Sequence, residues 1–154
     1  MLPKTVKCDL LKSGANFIVH QVNCQRTMGA GLAKQIKERF PAAFVAYMNN
    51  RFPRLGQAQI VPISQGGKAF NIVNLYGQDR YGYKGNRYTN YEGFYMALED
   101  FKYQLYESGI TIGTIAFPYM IGCDRGGADW SVIQSMICSV FNNTEYEMLI
   151  CKLR

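Results

Sequence analysis

Phe17-Ile18-Val19-His20-Gln21-Val22-Asn23, followed shortly by Met28-Gly29-Ala30-Gly31-Leu32-Ala33, decides the fold class of this chain. An apolar run of strand length leads into a glycine turn. The turn opens a segment with Leu32, Ile36 and Phe40 at helical spacing. The same order returns later. Thr114-Ile115-Ala116-Phe117-Pro118 leads into Ile121-Gly122-Cys123-Asp124-Arg125-Gly126-Gly127, and Asp129 then caps a helix with the face Ile133, Met136, Ile137, Val140 and Phe141. Glycine turns at helix starts leave backbone N–H groups without partners at the positive end of the helix dipole, where an anion is favoured. One such turn means little. Two in one small domain imply a ligand carrying a diphosphate or several phosphates.

Working outward, Thr5–Asp9 reads as a short edge strand, and Pro41 starts a second helical piece through Phe44, Val45 and Met48. Gln59–Ile63 and Ala69–Leu75 read as strands joined by the hairpin turn Gln65-Gly66-Gly67-Lys68. A long loop from Tyr76 to Tyr88 contains Tyr76, Tyr81, Tyr83 and Tyr88, and loops of that length in small domains are usually functional or disordered. Thr89-Asn90-Tyr91-Glu92 reads as a capping box for a helix whose apolar face is Tyr91, Phe94, Tyr95, Leu98, Phe101 and Leu105, ending at Ser108-Gly109. Thr111–Pro118 is a buried strand and Glu147–Leu153 the last one. Apolar strands alternating with amphipathic helices predict an α/β fold with a mixed, mostly parallel sheet covered on both faces. Ligands of such folds bind beyond the C-terminal strand ends, where both glycine turns and the tyrosine-rich loop fall.

The chain has 154 residues, of which 48% are hydrophobic, and this predicts a single globular domain over 1–154. No apolar stretch reaches the ~20 residues of a membrane span, and the first residues lack the apolar core of a signal peptide, so a cytoplasmic protein without membrane contact is expected. The five cysteines (Cys8, Cys24, Cys123, Cys138, Cys151) are odd in number and scattered, which argues against a disulfide framework. With His20 the only histidine, a structural zinc site is not expected either, and no metal or cofactor is implied. The net charge of +6 favours acidic ligands, or else describes a solvated basic surface; no Lys/Arg block of a nucleic-acid arm is present.

The first turn is followed by no Gly-Lys-Ser/Thr, and Lys34 occupies the third glycine position of a dinucleotide fingerprint, so P-loop and ordinary dehydrogenase chemistry lose ground. In the second turn the backbone can fold round an anion as a nest, Arg125 can clamp a phosphate and Asp124 can orient a water or a sugar hydroxyl; a solvated loop tip is the alternative for each. Asn23 ends a strand at the cleft and either bonds a sugar hydroxyl or caps its own turn. His20 is either a buried, hydrogen-bonded core residue or the group that titrates near neutrality. Asp9 follows the first strand, where its carboxylate either accepts from the exocyclic amine of a base or forms a turn. Gln78, Asp79 and Asn90 flank the long loop.

These residues together resemble the macro domain, the ADP-ribose-binding α/β/α module. The resemblance is carried by Val6-Lys7-Cys8-Asp9-Leu10-Leu11, by Ile18–Cys24 with Met28–Ala33, by Tyr88–Glu92, and by Pro118–Cys123 with Gly126-Gly127-Ala128-Asp129-Trp130. It is greatest toward the branch of ADP-ribose 1″-phosphate phosphatases and terminal ADP-ribose glycohydrolases. It implies that Asp9 meets the adenine amine with Leu10 beside it. Asn23 would touch the distal ribose, Gly29, Ala30, Gly31 and Leu32 the distal ribose and diphosphate, and Ile121 to Arg125 the phosphates. The substrate-binding set it implies adds Gln21, Met28, Pro118 and Met120 and includes Gly122 and Cys123; Asn23, Asp124 and His20 are the candidates for catalysis. Departures are Gln78 where the glycohydrolases carry a nucleophilic lysine, Gly126 where they carry its aspartate partner, Cys8 for a glycine, and a first strand that is missing or reduced. The expected activity is hydrolysis of ADP-ribose 1″-phosphate by a monomer. The alternatives are removal of ADP-ribose from modified protein or nucleic acid, a non-catalytic ADP-ribose reader, and a plain nucleic-acid-binding module.

Overall fold

The computed structural model describes residues 2–82 and 86–153. The strands are β1 (Lys4–Lys7), β2 (Phe17–Val22), β3 (Ala58–Gln65), β4 (Lys68–Tyr76), β5 (Thr114–Pro118) and β6 (Glu147–Lys152). The helices are α1 (Gly31–Arg39), α2 (Pro41–Asn49), α3 (Tyr91–Glu107) and α4 (Trp130–Val140). One sheet holds all six strands in the order β1-β6-β5-β2-β4-β3, every pair parallel except β3 with β4. The antiparallel pair is the expected hairpin: Gly66 and Gly67 take φ of +59° and +76°, as a two-residue turn between twisted strands requires.

Successive strand residues point to opposite faces, so each central strand feeds two cores. Phe17, Val19, Val73, Leu75, Ile115 and Phe117 pack under α3 and α4 with Phe94, Leu98, Phe101, Ile133, Ile137 and Phe141. Ile18, Ile72, Val61 and Ala116 pack under α1 and α2 with Ile36, Phe40 and Ala43. The result is a three-layer α/β/α fold. From β2 the chain crosses through α1 and α2 toward β3 and β4. From β5 it crosses through α4, on the other face, toward β6. The crevice beyond the C-terminal ends of β2 and β5 is therefore the topological switch point, the usual ligand position in such sheets. No helix among the described residues is long and apolar enough to cross a membrane.

Several element boundaries differ from the sequence expectation. The first strand stops at Lys7; Asp9 instead caps a 3₁₀ turn over Leu10–Lys12, its side chain accepting from Leu11 N–H at 3.0 Å. Tyr76 belongs to β4 and is fully buried, so the loop starts after it, and Tyr83 lies outside the described residues. The 111–118 strand begins only at Thr114. The capping box is also displaced: Asn90, not Thr89, caps α3, its side chain accepting from Gly93 N–H at 2.8 Å. Asn caps as well as Thr, which leaves Thr89 free to turn inward, where it is 1% exposed.

Candidate functional site

Three loops follow the C-terminal ends of β2, β4 and β5 and enclose a cavity of about 390 Å³, within the range of small-molecule sites. Both glycine turns line it, through Gly29, Ala30, Gly31 and Leu32 on one side and Ile121, Gly122, Asp124 and Arg125 on the other. His20, Gln21, Asn23, Met28, Pro118 and Met120 also line it. Of the other expected site residues, Asp9 and Leu10 are not among the lining side chains; Leu10 is 5% exposed and packs into the α1/α2 core. Cys123 is likewise turned away, its thiol directed at Ile121 O and pushed up to about 11 by burial and the nearby Asp129. Outside the expected binding set, Val22, Thr27 and Gly82 also line the cavity, together with Ala33, Tyr119 and Gly126 of the motif stretches and Tyr81 of the tyrosine-rich loop. Gln78, expected only as a polar residue flanking the long loop and as a departure from the resemblance, lines it too.

The first loop is held from below. Asn23 Oδ1 accepts from Gln25 N–H (2.9 Å), and Asn23 Nδ2 donates to Thr27 O (3.0 Å). The fully buried Tyr47 hydroxyl accepts from Thr27 N–H (3.0 Å) and donates to Asn23, whose main-chain oxygen and Oδ1 lie at 2.6 and 2.7 Å. One Nδ2 hydrogen of Asn23 is left for a ligand. Helix α1 then begins at Gly31 with no side-chain cap on its N-cap residue Ala30 and no acidic residue in its first turn, whereas Asn90 and Asp129 cap α3 and α4. Its free donors face the cavity. Gly29 needs to be glycine neither for its φ nor for packing, since an added Cβ would meet only Thr27 Cγ2 at 3.7 Å. What the missing side chain leaves open is close approach to the main chain from the cavity.

The second loop is held by the inward Thr89. Its hydroxyl donates to Gly122 O (2.7 Å) and accepts from Gln21 Nε2 (2.9 Å), which also donates to Gln78 Oε1 (2.6 Å). Tyr88 and Thr89 N–H both donate to Gly126 O, at 2.8 and 2.9 Å. A Cβ at Gly126 would overlap Thr89 Oγ1 and Gly122 O, so this backbone admits no aspartate there. Gln21 thus ties together β2, the β4–α3 loop and the β5–α4 loop. Its own Oε1 is buried without a partner.

Beneath the cleft His20 pairs in register with Asn74 of β4. Asn74 Nδ2 donates to Ala43 O (3.3 Å) and Gln59 Oε1 (3.0 Å), so Asn74 Oδ1 must accept, at 2.5 Å, from His20 Nε2–H. The tautomer follows, and His20 Nδ1 is left as a buried acceptor without a partner. Burial lowers its pKa to about 4 despite the opposing bond to Asn74. His20 is therefore neutral at pH 7, an acceptor rather than a source of protons.

No family model matches the chain. A "DNA ADP-ribosyl glycohydrolase" of Mycobacterium tuberculosis is 26% identical over 136 residues, which cover 86% of this chain. The chain spans 37% of that relative's length. The macrodomain of Mycobacterium tuberculosis DarG superposes with a TM-score of 0.77 at 23% identity, covering 96% of this chain and 98% of that one. Thermosipho africanus DarTG, solved in complex with ADP-ribose, superposes with a TM-score of 0.78 at 18% identity over 98% of this chain and 41% of that one. A six-stranded, mostly parallel sheet between two helical layers, with a cleft at its switch point, is the macrodomain fold. This chain has that fold, in agreement with the resemblance its motifs carry.

Proposed function

We propose that this protein binds ADP-ribose in the cleft and hydrolyses the bond between the anomeric carbon of the distal ribose and a nucleic acid. The observation that carries the reading is the meeting of both glycine turns on one cavity. The α1 N-terminus on one side and the Gly122 and Asp124 main chain on the other offer N–H donors, which suits a diphosphate; Ile121 and Cys123 N–H are spent on Pro118 O and Met120 O in shaping the loop. The similarity to a relative named as a DNA ADP-ribosyl glycohydrolase supports the choice of substrate class. Asn23 holds the distal ribose through its remaining Nδ2 hydrogen. Asp124, exposed at the rim, positions a water and takes its proton as the water oxygen bonds to the anomeric carbon and the bond to the nucleic acid breaks, and that proton then passes to the departing nucleic acid. His20 and Gln21 offer their unpartnered acceptors to hydroxyl or water donors in the cleft. Gln78 stands where the resemblance puts a lysine nucleophile, and Gly126 has no space for its aspartate partner, so the water is delivered without a covalent lysine intermediate.

An oligonucleotide carrying ADP-ribose tests this directly. Free ADP-ribose is the expected product, and Asn23→Ala and Asp124→Ala should each slow its release by about 10²-fold, the usual contribution of a positioned acid or base. Intact substrate after prolonged incubation overturns the reading. A second reading, removal of phosphate from ADP-ribose 1″-phosphate, draws support from the same Gln78 and Gly126 departures, since it needs no lysine nucleophile. Phosphate release from that compound with no release from the oligonucleotide selects it. Micromolar ADP-ribose binding without either product leaves a reader.

A further inference from the structure

Cys8 and Cys151 stand 143 positions apart in the chain, yet their sulfurs are 3.1 Å apart. The sheet order brings them together. Edge strand β1 pairs with β6 in parallel, Val6 opposite Cys151, and Cys8 N–H extends the ladder to Lys152 O at 3.1 Å. A diagonal position across two strands places both side chains on one face. The pair also joins two parts of the cleft's surroundings. Cys8 immediately precedes Asp9, whose side chain holds the 3₁₀ turn and lies 3.9 Å from Arg39. Cys151 O accepts from Tyr119 N–H at 2.9 Å, at the start of the second glycine loop.

From this geometry we propose that Cys8 and Cys151 are an oxidative modification site, which a two-electron oxidant of the peroxide class converts to an intramolecular disulfide. The two thiols differ in access: Cys8 is half-buried and Cys151 is 6% exposed. The peroxide therefore meets Cys8 first. The Cys8 sulfur attacks one peroxide oxygen, the O–O bond breaks, and a sulfenic acid and water result. Cys151 sulfur then attacks Cys8 sulfur. The S–S bond forms, the S–O bond breaks, the oxygen leaves as water, and the proton of the Cys151 thiol goes to that water. In sum, two thiols and one hydrogen peroxide give one disulfide and two waters. The sulfurs need to close from 3.1 Å to the ~2.05 Å of a disulfide, a movement open to Cys8 because it follows the last residue of an edge strand. Burial and the neighbouring Cys8 push the Cys151 thiol up to about 12, so the second step is slow and relies on proximity. Closure pins the edge strand and draws Asp9 along with Cys8. On the ADP-ribose reading above, joined to the resemblance that sets Asp9 against the adenine amine outside the enclosed cavity, this alters the adenine end of the ligand.

Hydrogen peroxide titration of the purified chain tests this. Intact mass should fall by about 2 Da, the loss of two hydrogens. Thiols counted after denaturation should fall from five to three, with peptide mapping joining Cys8 to Cys151. Closing so long a loop should raise Tm by on the order of 5–10 °C. Cys8→Ser and, independently, Cys151→Ala should abolish all three changes, and Cys138→Ser none of them. Five thiols after oxidation, or a link between other cysteines, overturns the site. ADP-ribose titration of reduced and oxidised protein tests the connection to Asp9, with a shift in Kd of about threefold or more expected only where both cysteines are present. An unchanged Kd in fully linked protein overturns that connection. No binding to the reduced protein overturns the ADP-ribose reading and leaves the disulfide standing.

Discussion

Beneath α3 and α4 the middle of the sheet meets an apolar layer, in which Phe101 touches Phe17 and Phe141 edge-on at 5.6 and 6.0 Å between ring centres, and Gln21 and Thr89 come in at its cleft end. Beneath α1 and α2 the same strands behave differently. Ile18 and Ile72 continue an apolar cluster, but the next residues on that face are His20 and Asn74, and beyond them Val22, Tyr76, Tyr47 and Met28 form a separate island. The polar break lies directly below the first glycine loop. The aromatic middle of one face therefore supplies stability that is indifferent to pH and to ligand. The other spends burial on hydrogen-bonded groups that hold a loop in shape. Polar groups without partners are costly inside a protein, so such an arrangement persists where a defined geometry is needed above it.

This contrast is open to experiment, beginning where the effect is largest. Phe101→Ala, at a fully buried ring, should cost about 4 kcal/mol in urea unfolding and leave the ADP-ribose affinity of the folded protein unchanged. A loss of affinity would mean that the two faces are not independent.

Acid acts on the other face. His20 titrates near 6.5 in the unfolded chain and near 4 in the folded one. The unfolded chain binds more protons between those values, so the contribution is full above pH 6.5 and is lost as pH falls toward 4, by on the order of 3 kcal/mol. Urea midpoints from pH 7.5 to 4.5 should decline less steeply in His20→Gln; an unaltered decline would assign the acid sensitivity to other groups.

Tyr47→Phe removes the hydroxyl that joins Thr27 to Asn23 and should cost about 2 kcal/mol. Unlike Phe101→Ala, it should also weaken ADP-ribose binding, because the loop it steadies lines the cleft. Calorimetry that finds wild-type affinity would remove the loop-shaping role from this face. Arg39→Ala should change stability by no more than about 0.5 kcal/mol, since its pair with Asp9 is 3.9 Å long and both side chains are partly exposed, 46% and 33%.

Much of the fold was legible because periodicity and turn chemistry are local signals. The 17–22 run, the Gly66-Gly67 hairpin and the α4 cap at Asp129 each rest on a few adjacent residues. The glycine turns announced the cleft for the same reason. Thr89 shows where such reading stops. Thr and Asn are comparable caps, so the sequence could not say which would serve α3, and the one left over became the clasp of the second loop. Asp9 and Leu10 were expected at the ligand from motif alone, and their side chains do not line the cavity.

Strand and helix order, the two anion-turn signatures and the absence of a P-loop or dinucleotide pattern were determined by the sequence itself, because each depends on neighbours within a few residues. The tertiary structure alone decided that His20 faces Asn74, that Gln21 reaches Thr89 and Gln78, and that Cys8 meets Cys151. Those pairs lie 54 to 143 positions apart and arise from sheet register and from the loop packed over the strand ends, which no local pattern encodes.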